Sequence, residues 1–144
     1  MGINTLSLGQ FLTFAAAAIS VILAGWGSAK GVGLAGQTSA GVSSENPEVN
    51  SKLMVLQILP GTQGIYGFLI AVIILVNTGA VGGNMTDVSV GNGLLYIGAV
   101  LPVAVIGMIC AIHQAKVASA GMLMVGQHPD MSGKAITMTV MVET

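Results

Sequence analysis

No Asp, Glu, Lys or Arg occurs from Met1 to Ala29, and this uncharged stretch limits the possible folds more than any other feature. A membrane-spanning helix needs about 20 mostly apolar residues, because lipid offers no hydrogen-bond partners to an irregular backbone. The stretch also lacks the basic start of a secretory signal. Only 6% of the whole chain is charged, whereas a soluble domain has about a quarter. The sequence therefore predicts an all-α integral membrane protein.

Four apolar stretches predict four helices. Their approximate limits are residues 5–35, 53–77, 92–126 and 134–144. Polar, turn-rich segments separate them and predict loops at residues 36–50, 77–92 and 127–133. The fourth stretch has about ten residues before the sequence ends, too few to cross a bilayer. We therefore predict two helical hairpins, residues 1–78 and 79–144, of which the second has an incomplete fourth helix.

The lysines predict how the chain lies in the membrane. Each of them flanks the first or the third loop, and none flanks the second: Lys30, Lys52, Lys116 and Lys134. Basic residues concentrate in the cytoplasmic loops of membrane proteins. The loops at residues 36–52 and 127–133 are therefore predicted to be cytoplasmic.

The two predicted hairpins resemble each other in sequence. Residues 25–33, GWGSAKGVG, and residues 111–119, AIHQAKVAS, share an Ala-Lys pair and small residues four positions before and after its alanine. Overlaying the apolar stretches that follow places Gln63 opposite Glu143. We interpret the chain as a duplicated hairpin with one acidic side chain per pair.

Small residues recur at every fourth position along the first predicted helix. They form one stripe of Ala16, Ser20, Ala24 and Ser28, and a second of Gly25, Ala29 and Gly33. This spacing lets helix backbones approach closely. We therefore expect the first and third helices to line the inner circle of a ring formed by copies of the chain, where the radius is tighter.

The stretch LQILPGTQGIYG, residues 56–67, places polar groups within the second apolar span. On a helix, Thr62, Gln63 and Tyr66 lie on the same face as Leu59. Pro60 lacks an N–H group, so it is expected to kink the helix and to free nearby main-chain carbonyls. Oxygen atoms gathered in this way suit a hard cation. The alternative is a kink whose polar groups bond neighbouring helices, and both interpretations stay open on this stretch alone.

Glu143 is the acidic residue placed deepest in the apolar part of the chain. It lies nine residues beyond Lys134, about 13 Å along a helix. A carboxylate at that depth is costly and generally marks a functional site. Gln114 adds a second amide, for which an interfacial role is an equal alternative. A single monovalent cation would cancel the charge of the carboxylate.

The predicted ligands are all oxygen atoms, from Glu143, Gln63, Gln114, Thr62, Tyr66 and one main-chain carbonyl. Cys110 has no role in this site, and as the single cysteine it cannot form an intramolecular disulfide. The sequence has no phosphate-binding loop and no nucleophile–base pair, so we predict no catalytic site and no organic cofactor. The net charge of −1 argues against nucleic-acid binding.

Four motifs together resemble a known family: GSAKG (27–31), LPGTQGIYGF (59–68), QAKVASAG (114–121) and MVET (141–144). They are similar to the proteolipid, called K or c, of V-type and A-type rotary ATPases, and most of all to its sodium-binding members. The resemblance implies a duplicated helical hairpin that assembles into a membrane rotor ring, in a prokaryotic cell membrane. Family members continue beyond Glu-Thr, so we expect the sequence to be incomplete.

The resemblance also implies a ligand set and partners. Na⁺ would be held by the main-chain carbonyl of Leu59 and by the side chains of Thr62, Gln63, Gln114 and Glu143, with Tyr66 hydrogen-bonded to the carboxylate. The implied partners are identical copies in a ring, a stator membrane subunit whose Arg displaces the ion, a central-stalk subunit at the cytoplasmic loops, and lipids.

Two alternatives stay open. The same rotor could carry H⁺ instead of Na⁺, since a protonated carboxyl can replace the bound ion. The chain could also be a structural membrane oligomer, held by small-residue packing and without ion transport. The buried Glu143 argues against the second alternative, because packing alone gives no reason to bury a carboxylate.

Overall fold

Five α-helices make up a computed structural model that describes residues 6–143. The helices are α1 (Leu8–Glu45), α2 (Asn50–Ile58), α3 (Thr62–Asn77), α4 (Val90–Gln127) and α5 (Ser132–Val140). Short 3-10 turns precede α2, α3 and α5 at Pro47–Val49, Leu59–Gly61 and Pro129–Met131. The start of the first helix at residue 5, as predicted, lies outside the described residues. Within them the fold is all-α, as the sequence predicts.

Among the described residues, three helical segments are long and apolar enough to cross a membrane: Leu8–Glu45, Pro47–Asn77 and Val90–Gln127. The second of these joins α2 to α3 through the turn that contains Pro60. α1 has 38 residues, which corresponds to about 57 Å, whereas the hydrocarbon core of a bilayer is about 30 Å thick. α1 and α4 are therefore long enough to project beyond the membrane.

The first predicted loop is largely wrong. The prediction placed a loop from Gly36 to Asn50, but α1 continues through this segment to Glu45. Ala35 and Val42 are buried there in an apolar cluster with Met122 and Val125 of α4. This packing outside the apolar span stabilises the helix despite its Gly and Ser residues, because tertiary contacts outweigh weak local propensity.

The fourth helix is shorter than predicted. The prediction extended it from residue 134 to 144, whereas α5 ends at Val140; the predicted last residue, 144, lies outside the described residues. Beyond this point the N–H groups of Val142 and Glu143 donate to carbonyls three residues back, at 3.4 and 2.9 Å. Bonds of this kind are typical of the tighter last turn of a helix. Glu143 thus lies in a turn that continues the direction of α5.

The two hairpins repeat in a constant register. α1 begins at residue 8 and α4 at 90, the proline-initiated turns begin at 47 and 129, and α2 and α5 begin at 50 and 132, so the offset is the same for every pair. The overlay of Gln63 with Glu143 was therefore wrong, and Gly61 is the structural counterpart of Glu143. The two Ala-Lys pairs do not correspond either. They lie one helical turn out of this register, a shift that keeps small residues on the same face.

One small-residue stripe packs inside the chain and the other does not. Ala16, Ser20, Ala24 and Ser28 are all buried. α1 packs chiefly against α4, and a Cβ atom added to Gly27 would lie 2.5 Å from the Cα of Met108. By contrast, a Cβ at Gly25 or Gly33 would meet nothing within 4 Å. The second stripe therefore lies on the surface of the single chain.

Candidate ion-binding site

The kink between α2 and α3 is the first part of the site. Leu59, Pro60 and Gly61 form a 3-10 turn. Because Pro60 has no N–H group, the carbonyl of Leu56 loses its usual donor and the helical ladder is interrupted. α3 restarts at Thr62, whose hydroxyl donates to the carbonyl of Leu59 at 3.0 Å. The kink thus places a main-chain carbonyl and a hydroxyl at the same level.

Glu143 approaches this kink from the turn after α5. Its Oε1 lies 2.8 Å from the hydroxyl of Thr62 and 2.6 Å from that of Tyr66. Its Oε2 accepts from Nε2 of Gln114 on α4 at 3.3 Å. The Thr62 hydroxyl has a single proton, so it donates to Glu143 or to Leu59 but not to both at once. All three groups that contact the carboxylate are neutral.

Gln114 combines full burial with a free amide oxygen. The side chain is completely buried, and its Oε1 has no hydrogen-bond partner in the described part of the chain. A buried acceptor without a donor costs free energy unless something else satisfies it. A cation beside Glu143 would satisfy this oxygen, since amide oxygens are good ligands for hard cations.

Gln63 lies beside this cluster rather than in it. Its side chain is buried and faces Gly107 of α4, where an added Cβ would lie 3.6 Å from Oε1. It contributes with Tyr66 to the wall of a groove of about 510 Å³ between α3 and α4. Residues 6–143 contain no hydrogen bond between Gln63 and Glu143. The structure therefore brings Leu59, Thr62, Tyr66, Gln114 and Glu143 into one network and leaves Gln63 next to it.

Two contacts at the site were missed by the sequence analysis. The hydroxyl of Ser28 lies against the kink, 3.0 Å from the carbonyl of Pro60. The thiol of Cys110 lies 3.2 Å from the carbonyl of Val142, next to Glu143. Cys110, predicted to have no role in the site, therefore lies beside it. The repeat could have revealed this pair, because Ser28 and Cys110 occupy corresponding positions in the register of α1 and α4.

The sequence model of the family described as the ATP synthase C subunit matches residues 15–74 and 97–144. The chain belongs to this family. The two matched ranges lie one in each hairpin, and their first residues are separated by the same offset as the first residues of α1 and α4. The two matches therefore begin at corresponding points of the two hairpins.

Two relatives from this family cover most of the chain. The V-type sodium ATPase subunit K of Enterococcus hirae is 42% identical over 136 residues, which are 94% of this chain and 83% of the relative. The A-type ATP synthase subunit K of Methanocaldococcus jannaschii is 36% identical over 128 residues, which are 89% of this chain and 53% of the relative. The chain thus spans about half the length of the second relative. Both similarities confirm the resemblance to V-type and A-type proteolipids.

Proposed function

We propose that the chain is a rotor proteolipid of a V-type or A-type ATPase and that it carries Na⁺ across the membrane on Glu143. The family and the two K proteins support the rotor role. The similarity to a sodium ATPase proteolipid supports Na⁺ as the ion. The observation that carries the proposal is the buried, unpartnered Oε1 of Gln114, whose amide nitrogen bonds the carboxylate of Glu143.

The ligands proposed for Na⁺ come from both hairpins. Glu143 supplies the charge, and the amide oxygen of Gln114 supplies a neutral ligand from α4. The kink supplies the carbonyl of Leu59 and the hydroxyl of Thr62, whose proton then turns to Glu143 and leaves its lone pairs for the ion. Gln63 completes the proposed set after a change of side-chain rotamer. Hard monovalent cations favour oxygen ligands of this kind.

Charge balance explains how such a site can move through lipid. An ionised carboxylate in the hydrocarbon region is costly, but one bound Na⁺ makes the unit neutral. Tyr66 then holds Glu143 in place through its 2.6 Å hydrogen bond. At the stator, a fixed positive charge such as an Arg of the stator protein would compete with Na⁺ for the carboxylate and release the ion. This chain does not itself hydrolyse ATP in this scheme.

The same proposal gives a ring and an orientation. The turns that follow α1 and α4 lie at the same end of the molecule, since Nζ of Lys52 donates to the carbonyl of Pro129 at 2.8 Å and Asn46 donates to that of Gly126 at 3.2 Å. We propose that this end faces the cytoplasm and the central stalk. Identical copies form the ring. α1 and α4 line its inner surface, and α2, α3 and α5 form its outer surface.

Protection of Glu143 from carbodiimide tests the bound ion. Carbodiimides modify the protonated carboxyl, whereas Na⁺ binds the ionised form. H⁺ and Na⁺ therefore compete for the carboxylate of Glu143. We expect labelling to slow as Na⁺ is added at fixed pH and to quicken as the pH falls. The measurement is the labelling rate of Glu143 in purified rings, with choline as the control for ionic strength. A rate that responds to pH but not to Na⁺ would show that the rotor carries H⁺.

A further inference from the structure

We infer that Ser28 is a positioning residue of the ion site: its hydroxyl is inserted into the kinked helix and holds the kink open. This inference rests on the proposed function. Ser28 lies on α1, and the hydrogen bonds of its side chain go to Pro60, Gly61 and Gly64, so it acts through the backbone of the kink. The role extends the site to a helix that supplies none of its ligands.

The hydroxyl of Ser28 bridges two backbone groups that a regular helix would join directly. In an α-helix the N–H of Gly64 donates to the carbonyl of Pro60, four residues back. Here that N–H donates to Oγ of Ser28 at 2.7 Å, and the same oxygen lies 3.0 Å from the carbonyl of Pro60 and 3.3 Å from that of Gly61. The hydroxyl thus accepts from Gly64 and donates its single proton to the carbonyl of Pro60, which is the nearer acceptor, or to that of Gly61. A side chain inserted in this way into the helical ladder is a known cause of kinks.

The surroundings of Ser28 are shaped for this contact. A Cβ atom on Gly64 would lie 3.1 Å from both Cβ and Oγ of Ser28, so a larger residue at this position would push the hydroxyl aside by a few tenths of an ångström. Ser28 is buried, with 7% of its surface exposed. Water therefore does not readily replace the hydroxyl. Without it, the kink would relax toward a direct bond between Gly64 and Pro60, and the turn that aims Leu59 and Thr62 would shift.

The second hairpin contains an independent counterpart of this contact. Cys110 donates to the carbonyl of Val142 at 3.2 Å, and in the register of the repeat these two residues correspond to Ser28 and Pro60. Each donor therefore holds the carbonyl that directly precedes Gly61 or its counterpart Glu143. Both halves thus use the same position to fix the backbone at the level of the site. A thiol is the weaker donor, which makes Ser28 the stronger of the two.

A pair of serine variants tests the inference. Ser28→Ala removes the bridge, and Ser20→Ala is the matched control, because its buried hydroxyl also bonds α1 to α3 but donates to Gly67, at 2.9 Å and away from the kink. The probe is Na⁺ itself, measured as the concentration that halves carbodiimide labelling of Glu143 in purified rings. We expect about a three- to tenfold higher concentration for Ser28→Ala, the effect of one hydrogen bond. Ser20→Ala should equal the wild type.

The remaining outcomes are also decisive. Equal Na⁺ affinity in the wild type and Ser28→Ala, or an equal loss in both variants, contradicts the inference and leaves Ser28 a packing residue. If the Ser28→Ala ring does not assemble, Ser28→Gly, which also removes the hydroxyl, is measured instead, and a Na⁺ affinity equal to that of the wild type contradicts the inference. If Na⁺ protects no ring at all, the proposed ion is wrong. The pH at which labelling is half-maximal then tests the role of Ser28. It should shift in Ser28→Ala and stay at the wild-type value in Ser20→Ala, and an unchanged value in Ser28→Ala contradicts the inference.

Discussion

The two hairpins of this chain share a scaffold but differ where the ion would bind. α1 and α4 each have 38 residues, and each is preceded by a serine whose side chain accepts from the backbone N–H three residues on. Each is followed by a residue with φ near −135° and ψ near 85° and then by a proline-initiated turn. The helical framework therefore repeats almost residue for residue.

The difference is concentrated in one pair of facing positions. Val32 in the first hairpin faces Gly61, where an added Cβ would lie 3.4 Å from Cγ2 of the valine. Their counterparts in the second hairpin are Gln114 and Glu143, whose side chains are hydrogen-bonded at 3.3 Å. An apolar contact in one half thus corresponds to a polar, charged contact in the other.

The site therefore belongs to neither hairpin alone. The second hairpin supplies the charge and one amide through Glu143 and Gln114. The first hairpin has no carboxylate at this position, and its kink instead presents Thr62 and Tyr66 to the carboxylate of the second. Duplication followed by divergence of the halves accounts for this division of roles.

Replacing Glu143 with Gln should have the largest effect, because it removes the charge that distinguishes the halves. An amide of the same size keeps the shape of the site, so rings should still assemble. We expect Na⁺ binding to fall by more than about a hundredfold, since the cation then has no counter-charge within the membrane. Equilibrium binding of radioactive sodium to purified rings measures this. Binding of Na⁺ at the wild-type affinity would mean that the ion is held elsewhere.

Replacing Gln114 with Val gives the second hairpin the residue of the first. The variant loses the unpartnered amide oxygen and the hydrogen bond to Glu143. Losing one interaction with a charged group costs roughly 1.5–3 kcal/mol, which corresponds to about a ten- to hundredfold weaker Na⁺ affinity. The half-protecting Na⁺ concentration in carbodiimide labelling measures it.

Gln63→Ile tests the other proposed amide ligand, and we expect it also to weaken Na⁺ affinity by about ten- to a hundredfold. It removes an amide from the kinked helix that makes no hydrogen bond to Glu143 in the described part of the chain. An unchanged Na⁺ affinity would show that Gln63 only packs between the helices, and a loss as large as that of Gln114→Val would show that both amides bind the ion. If neither variant weakens Na⁺, the proposed ligand set is wrong.

Replacing Cys110 with Ala should have the smallest effect. The thiol is a weak donor, and the carbonyl of Val142 that it contacts is not a proposed ligand. We expect Na⁺ affinity to change by less than about threefold and by less than in Ser28→Ala. The Na⁺ affinities of Cys110→Ala and Ser28→Ala are measured in parallel. A larger loss in Cys110→Ala would show that the thiol, and not the hydroxyl of Ser28, matters more for the backbone at the site.

Much of the fold was predictable because lipid restricts which backbone structures can cross a membrane. An uncharged stretch from Met1 to Ala29 allows few structures other than a membrane helix. The kink at Pro60 followed from the chemistry of a single residue, and Glu143, singled out for its depth in the apolar sequence, does lie against that kink. The extension of α1 to Glu45 did not, since it depends on packing against α4 at a level where polar composition suggests a loop.

The register of the repeat and the serine bridge were hidden for different reasons. A shift of one helical turn leaves the small residues of α1 on the same face, so the sequence supports more than one offset between the halves, and the helix ends distinguish them. The bridge at Ser28 joins a side chain to backbone atoms of Pro60 and Gly64. No pattern of side chains indicates such a contact.

The single acidic position shared by two hairpins also fixes the gearing of the proposed motor. A ring of these chains would carry one ion for every two hairpins. The binding and release of each ion would therefore accompany a rotation of the ring by the width of two hairpins. Fewer ions then cross in each revolution. If the free energy released by ATP per revolution is fixed, each ion receives a larger share of it, and the ring can drive ions against a steeper gradient at the cost of moving fewer of them.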